Sequence, residues 1–273
     1  MIKTIKTKEK DIIIQSLRSG VVPRMGLQHI QVGRNKELNS FVRNIETISN
    51  GGTAFRLVVG EYGSGKTFFL SLVRSIALEK GLVVMNADLS PTKRLYSSNG
   101  QARTLFSELT MNVSTRTKQD GGALSNILEK FISNARIEAI ERNIDVSIVI
   151  YERLRELNDY TDGYNFATVI SKYWEGYNTG NDILKENALK WLRAEYTSKN
   201  DTMRDLGVRE YINDATFYNS LKLYSIFVRK AGYKGLLICL DEMVNLYKIP
   251  TSISRKSNYE VILNILNRSE ERR

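Results

Sequence analysis

The chain has 273 residues, of which 42% are hydrophobic and 26% charged, a composition ordinary for a soluble globular protein with a full core. It contains no run of about 18 apolar residues, and its lysine-rich start lacks the apolar segment of a secretory signal, which argues against a membrane protein and predicts a cytoplasmic one. Cys239 is the single cysteine and His29 the single histidine, so neither an internal disulfide nor a histidine-based metal site or triad is expected.

Positive charge is concentrated near the start of the chain. The formal net charge is +10, and residues 1–100 carry fifteen Lys/Arg against seven Asp/Glu. A basic N-terminal region suits DNA or another polyanion, but an ordinary solvated surface has the same composition. Since no zinc-finger spacing, aromatic RNP motif or helix-turn-helix signature is present, both interpretations stay open.

The first predicted elements are a short amphipathic helix and a loop in residues 1–33. Ile13, Ile14 and Leu17 follow helical spacing, and Pro23 then indicates the loop. Residues 34–100 predict, in order, a helix with its apolar stripe at 38–48, a strand at 55–59, a helix from residue 66 to about residue 80 and a strand at 82–89.

The second half of the chain predicts a helical segment followed by a third strand. Residues 101–219 are mainly of helical periodicity, which we interpret as an insertion. Residues 220–273 predict a helix, an apolar strand at 236–240, a loop around Pro250 and a final helix through residue 273. Strands alternating with helices in this order predict an α/β fold with crossover connections.

Residues 60–67 read GEYGSGKT and fit the pattern G-x-x-x-x-G-K-S/T of a phosphate-binding loop. Glycines are needed there because backbone N–H groups curl around the phosphates, where side chains would obstruct them. A glycine-rich turn without a ligand is the alternative, but a strand before the motif and a helix after it are the context that the loop requires. The predicted nucleotide-binding residues are Gly60, Glu61, Tyr62, Gly63, Ser64, Gly65, Lys66 and Thr67.

The side chains at the end of this loop have separate predicted roles. Lys66 would reach the β- and γ-phosphates as a catalytic residue, and the Thr67 hydroxyl would coordinate Mg²⁺. The apolar strand LLICL ends in Asp241 and Glu242, two acids that are costly to bury unless they emerge at the ligand-binding edge of the sheet. Asp241 would then hold Mg²⁺, and Glu242 would orient or deprotonate the attacking water.

Two remaining residues of chemical interest have plainer interpretations. Cys239 lies inside the third apolar strand, which favours a small buried hydrophobe over a reactive thiol. His29 lies in the loop before residue 32, where it would either touch a base or ribose or have no special role.

Three motifs together resemble the AAA+ and STAND-type ATPases of the origin-recognition kind: VGRNKEL at residues 32–38, GEYGSGKT, and LLICLDE. In that group the first motif helps to form the adenine pocket, which makes Val32, Gly33 and Arg34 the candidates here. Asn35 stands where an acid is usual, so the role of that acid does not carry over.

The chain is still more similar to the ATP-binding proteins of BREX phage-defence systems, the D component. The similar segments span nearly all of it: SLRSGVVPRMGLQHIQVGR, VGEYGSGKTFFL, NADLSPTKRLY, GGALSNILEKFI, RKAGYKGLLICLDEMVNLYK and SRKSNYEVILNILN. The resemblance implies a P-loop NTPase of the AAA+ type, with a three-layer core and a large all-helical insertion between the second strand and the acidic Walker B strand. Four segments follow: the N-terminal helix with the adenine-pocket loop (1–33), the first part of the core (34–100), the insertion (101–219) and the Walker B part (220–273).

The same resemblance implies the function. It implies ATP and Mg²⁺ as cofactors, hydrolysis coupled to remodelling of DNA or partner proteins, and other BREX proteins as partners; a homo-oligomer is compatible with it. Adenine rather than guanine rests on the resemblance alone. A nucleotide-gated assembly module with little hydrolysis is the alternative, and a small-molecule phosphotransferase is a third interpretation without a visible acceptor site.

One departure from the family pattern carries an expectation of its own. In this family a sensor strand follows the acidic strand along the chain and lies between it and the P-loop strand in the sheet. The 31 residues after Glu242 predict no strand. We therefore expect that the C-terminal part of the usual protein is missing, that the sheet is incomplete, and that this chain alone has a deficient core, weak hydrolysis, or both.

Overall fold

The computed structural model describes residues 5, 7–23 and 26–270. Its strands are β1 (Val83–Asp88) and β2 (Leu236–Asp241). Its helices are α1 (Thr7–Arg18), α2 (Leu27–Ile30), α3 (Asn35–Ser49), α4 (Lys66–Glu79), α5 (Gln101–Met111), α6 (Leu124–Arg142), α7 (Val146–Arg155), α8 (Gly163–Thr179), α9 (Asp182–Leu192), α10 (Lys199–Leu206), α11 (Phe217–Lys230), α12 (Val244–Tyr247) and α13 (Ser252–Glu270), with a short 3-10 helix (Glu156–Asp159) after α7.

Most predicted elements are confirmed. The apolar stripes of the first half form α1, α3 and α4, the strands expected at 82–89 and 236–240 are β1 and β2, and residues 101–219 are largely helical. The final helix is α13, although residues 271–273 lie outside the described residues. The strongly periodic segments therefore form the kind of element that their periodicity predicts.

The sheet positions the carboxyl ends of its two strands side by side. β1 and β2 are parallel, with Val83 opposite Leu236 and Asp88 opposite Asp241. Helices α5 to α11 lie between the two strands along the chain and supply the long crossover that a parallel pair requires. The backbone N–H of Leu89 donates to the carbonyl of Asp241 at 3.0 Å and continues the ladder past the end of β1.

Helices cover both faces of this sheet. Alternate β1 residues, Val83 and Met85 among them, belong to a large buried cluster that extends through α5 to α11. Val84 belongs to a smaller cluster with Ile45 of α3 and Ala77 of α4. Because successive strand residues point to opposite faces, the two clusters lie on opposite sides of the sheet, as in an α/β protein.

The larger cluster makes the helical segment continuous with the sheet. Aromatic rings form its centre: the ring centroid of Phe166 lies 5.2 Å from that of Tyr224 and 6.1 Å from that of Phe227, both in edge-on geometry. β1 and β2 residues share this cluster with the helices that connect them. The division of the chain into four segments stays a prediction.

The strand predicted at residues 55–59 is wrong. None of the residues between α3 and α4 forms a strand, Leu57 is 55% exposed and Val59 is 92% exposed. Within the described residues the sheet has only the pair β1–β2, so the outer edge of β2 is unpaired and this segment has no neighbouring strand. An apolar run becomes a strand only where its N–H and C=O groups find a ladder partner. The expectation that the sheet is incomplete because a sensor strand is missing stays a prediction.

Candidate functional site

The GEYGSGKT segment forms a tight loop that leads directly into α4. Gly63 and Gly65 have φ values of 77° and 82°, in the left-handed region that favours glycine. At Gly60 a Cβ atom would lie only 2.6 Å from Oγ of Ser64. The side chains of Glu61 and Tyr62 are exposed and point away from the protein interior. The glycines are therefore where the backbone conformation and close approach require them.

Lys66, the first residue of α4, reaches back across this loop. Its Nζ donates to the carbonyl oxygens of Gly60 at 2.9 Å and of Glu61 at 2.8 Å. The ammonium group thus lies over the concave side of the loop, at the N-terminal end of a 14-residue helix. A helix N-terminus and an ammonium group both favour an anion at this position.

Thr67 and Asp241, which lie far apart in the sequence, meet here. The Thr67 hydroxyl donates to Oδ2 of Asp241 at 2.9 Å, across 174 positions of the chain. Hydroxyl and carboxylate oxygens are the ligands that Mg²⁺ prefers, usually with phosphates and waters as the other ligands. Among the described residues no group of three or more His, Cys, Asp or Glu is placed to hold a metal ion. The Thr67 and Asp241 oxygens are nonetheless of the kind that Mg²⁺ binds.

Glu242 follows at the end of β2 in an unusual backbone conformation. Its φ is 57°, and its N–H donates to Oδ1 of Asp241 at 2.8 Å. Its side chain is exposed at the same sheet edge as the Thr67–Asp241 pair. A non-glycine residue with positive φ is uncommon and is found disproportionately at functional sites.

A cleft of about 390 Å³ lies beside the loop. Val32 and Arg34 line it together with Ser64 and Gly65, whereas Gly33, the residue between them, does not. The guanidinium of Arg34 donates to the carbonyl of Ser64, and its carbon lies 5.9 Å from the ring centroid of Phe69. The structure thus joins the VGR motif to the phosphate loop through Arg34.

Sequence reasoning missed the apolar residues that form most of the cleft wall. They come from three different helices and are Leu17 of α1, Ile30 of α2, and Phe68, Phe69 and Leu72 of α4. Leu17 continues the apolar stripe of α1 and is 55% exposed, but no pattern in the sequence indicates that it lines a cleft.

The structure also locates Cys239 and His29. Cys239 is 7% exposed, and burial raises the pKa of its thiol to about 12, so the prediction of a small buried side chain is confirmed. His29 lies in α2, where its Nε2 is 3.8 Å from a carboxylate oxygen of Glu9 on α1, and it does not line the cleft.

Comparison with known proteins gives one family. The family model of the BREX system ATP-binding protein BrxC/D matches residues 5–273. No curated protein and no solved structure matches the chain. Among the described residues, no helix has the length and apolarity needed to cross a membrane. With a match that covers almost the whole sequence and an architecture of helices on both faces of a parallel sheet, the chain belongs to the BrxC/D family of BREX system ATP-binding proteins.

Proposed function

We propose that this chain binds ATP with Mg²⁺ at the loop of residues 60–67 and hydrolyses it, and that its nucleotide state controls its action on BREX partner proteins or DNA. The observation that carries the proposal is the 2.9 Å contact between Thr67 and Asp241, because these two predicted Mg²⁺ ligands lie 174 positions apart in the chain and yet touch. A glycine-rich turn without a ligand would not require a contact with the acidic end of β2.

Each residue has a defined part in this proposal. Backbone N–H groups of the loop hold the phosphates, and Lys66 exchanges its present carbonyl partners for phosphate oxygens. Thr67 and Asp241 would hold Mg²⁺, which when bound would offset the negative charge of the phosphates. Glu242 accepts a proton from a water molecule as the water oxygen bonds to the γ-phosphorus and the bond from that phosphorus to the bridging oxygen breaks. ADP, phosphate and a proton are the products.

The cleft beside the loop is the proposed base pocket. Val32 and Arg34 line it, as expected for the VGR motif, and its walls are mainly apolar side chains of the kind on which a purine ring packs. Gly33 lies between these two residues with a φ of 73° and does not itself line the cleft. Adenine is the base implied by the family.

A nucleotide-gated assembly module is the second candidate, and one observation favours it. The outer edge of β2 is unpaired in the described part of the chain, and the segment before the loop forms no strand. A site on such a sheet binds phosphates through its loop but holds its catalytic acid less rigidly. In this case ATP occupancy would control assembly with BREX partners or a second copy, and turnover would be slow.

The Glu242→Gln substitution separates the two candidates. Glutamine keeps the shape of the side chain but cannot accept the proton, so ATP binding should stay within about twofold while phosphate release falls at least 100-fold. Binding is measured by calorimetry with Mg²⁺-ATP, and turnover by a phosphate-release assay. Lys66→Ala is the control, since it should abolish binding itself. If the native chain binds ATP but releases no phosphate above the Glu242→Gln level, the assembly module is correct.

DNA contact through the basic N-terminal region is a further part of the proposal. Lys36 and Arg43 lie on α3, and the net charge of residues 1–100 is positive. Electrostatic binding should weaken by about tenfold or more between 50 and 200 mM salt. An affinity for duplex DNA that stays constant over this range would contradict it.

A further inference from the structure

The turn that follows β2 is tied to β1 at two points. The N–H of Leu89 donates to the carbonyl of Asp241 at 3.0 Å, and Nδ2 of Asn245 donates to the carbonyl of Leu89 at 2.8 Å. Leu89 is only 1% exposed, so both bonds are made to the backbone of a buried residue. One backbone residue at the end of β1 therefore holds both ends of the turn from Asp241 to Asn245.

Glu242 lies between these two ties. Its N–H donates to the side chain of Asp241, and its carbonyl accepts from the N–H of Asn245 at 3.0 Å. Its φ of 57° costs free energy for a residue with a Cβ atom and persists only where the surroundings hold it. The side chain of Asn245 is the contact that closes the turn on its far side.

The geometry points to Asn245 as a positioning residue for Glu242, and we propose this role as one that rests on the proposed function. The backbone conformation at position 242 sets the direction of its Cβ atom, and with it the approach of the carboxylate to the attacking water. Asn245 needs no contact with ATP to act in this way, because its side chain donates to Leu89 and its backbone N–H donates to Glu242. The Nδ2 donor is the essential group, since an aspartate of the same shape would place an oxygen against the Leu89 carbonyl.

A second asparagine provides a matched control. Asn258 of α13 is fully buried and binds the backbone of Tyr96, accepting from its N–H at 2.9 Å and donating to its carbonyl at 3.2 Å. It thus holds the same segment after β1 through the same kind of bond, seven residues further along the chain than Leu89. None of its hydrogen bonds reaches the turn of residues 241–245.

The experiment compares Asn245→Asp and Asn258→Asp in the full chain, with Asn245→Ala as a second variant in case the new carboxylate unfolds the protein. Amide hydrogen exchange of the apo protein and steady-state phosphate release are measured on each. We expect Asn245→Asp to raise exchange at residues 242–246 and to lower kcat about tenfold while KM for ATP changes less than twofold. Asn258→Asp should raise exchange near residue 96 and leave kcat within twofold.

Each outcome decides a different point. Unchanged exchange at residues 242–246 in both Asn245 variants overturns the proposal, as does an equal fall of kcat in the Asn258 variant, which would indicate a general effect of the segment after β1. A native chain without turnover, combined with raised exchange in Asn245→Asp, overturns the hydrolysis part of the proposed function and keeps Asn245 as the residue that holds the acidic turn.

Discussion

The helical part between β1 and β2 and the phosphate-loop part before β1 are held together in different ways. In the helical part, helices α5 to α11 share one buried cluster with the sheet, and its aromatic rings pack edge to face. In the phosphate-loop part, the residues between α3 and α4 form no strand, and the buried cluster of that face is small. The difference predicts a better-packed helical part and a ligand-binding layer that a bound nucleotide would stabilise.

The largest expected effect is a cavity in the helical part. Phe166 is fully buried against Tyr224 and Phe227, and Phe166→Ala should lower the free energy of unfolding by about 3–5 kcal/mol. Ile45→Ala, in the smaller cluster, should cost about 2 kcal/mol, because a loosely packed layer closes more of the cavity. Urea unfolding followed by circular dichroism measures both. An equal cost at the two sites would break the comparison.

Ligand stabilisation is the next largest effect. Mg²⁺-ATP at 100 times its dissociation constant should raise the free energy of unfolding by about 2.7 kcal/mol. Amide exchange should fall at residues 30–34 and 60–67, where the cleft and the loop lie, and stay unchanged in α8 and α9. Lys66→Ala should remove the effect. If Mg²⁺-ATP instead slowed amide exchange mainly in the helical part, that part and not the phosphate-loop part would be the one that the ligand stabilises.

The reactivity of Cys239 tests how often the layer formed by α3 and α4 opens. Residue 239 alternates along β2 with Ile238 and Leu240, which pack against the larger cluster, so it points to the side of α3 and α4. Burial raises its thiol pKa to about 12, so reaction with a thiol reagent at pH 8 requires this layer to open. Mg²⁺-ATP should slow the labelling about tenfold, and urea-unfolded chain should react at once. Labelling at the same rate with and without Mg²⁺-ATP would show that the nucleotide does not stabilise this layer.

The sequence was informative where a signal is local and incomplete where it depends on a distant partner. The phosphate loop has a motif of its own, and α4 and both strands have their own periodicity. The contact of Thr67 with Asp241 follows from the chemistry of the two motifs. The segment at 55–59 has a strand-like apolar run, but a strand also needs a neighbour, which local composition cannot supply. The cleft residues Leu17 and Phe68 and the tie through Asn245 depend on how separate elements approach each other, so no spacing along the chain could reveal them.

The smallest expected effect concerns the charged surface of the helical part. Hydrogen bonds from Arg142 and Arg153 hold the pKa of Glu138 below its ordinary value of 4.5. A depressed pKa in the folded state stabilises the protein above pH 4.5, and this contribution is lost as the pH falls through the folded-state value. Because Glu138 and its two arginine partners are partly exposed, Glu138→Gln should cost less than about 1 kcal/mol at pH 7, and the difference from the native chain should shrink as the pH falls through the folded-state pKa of Glu138. Urea unfolding at a series of pH values tests this, and a loss that does not change with pH would mean that Glu138 acts through packing and not through its charge.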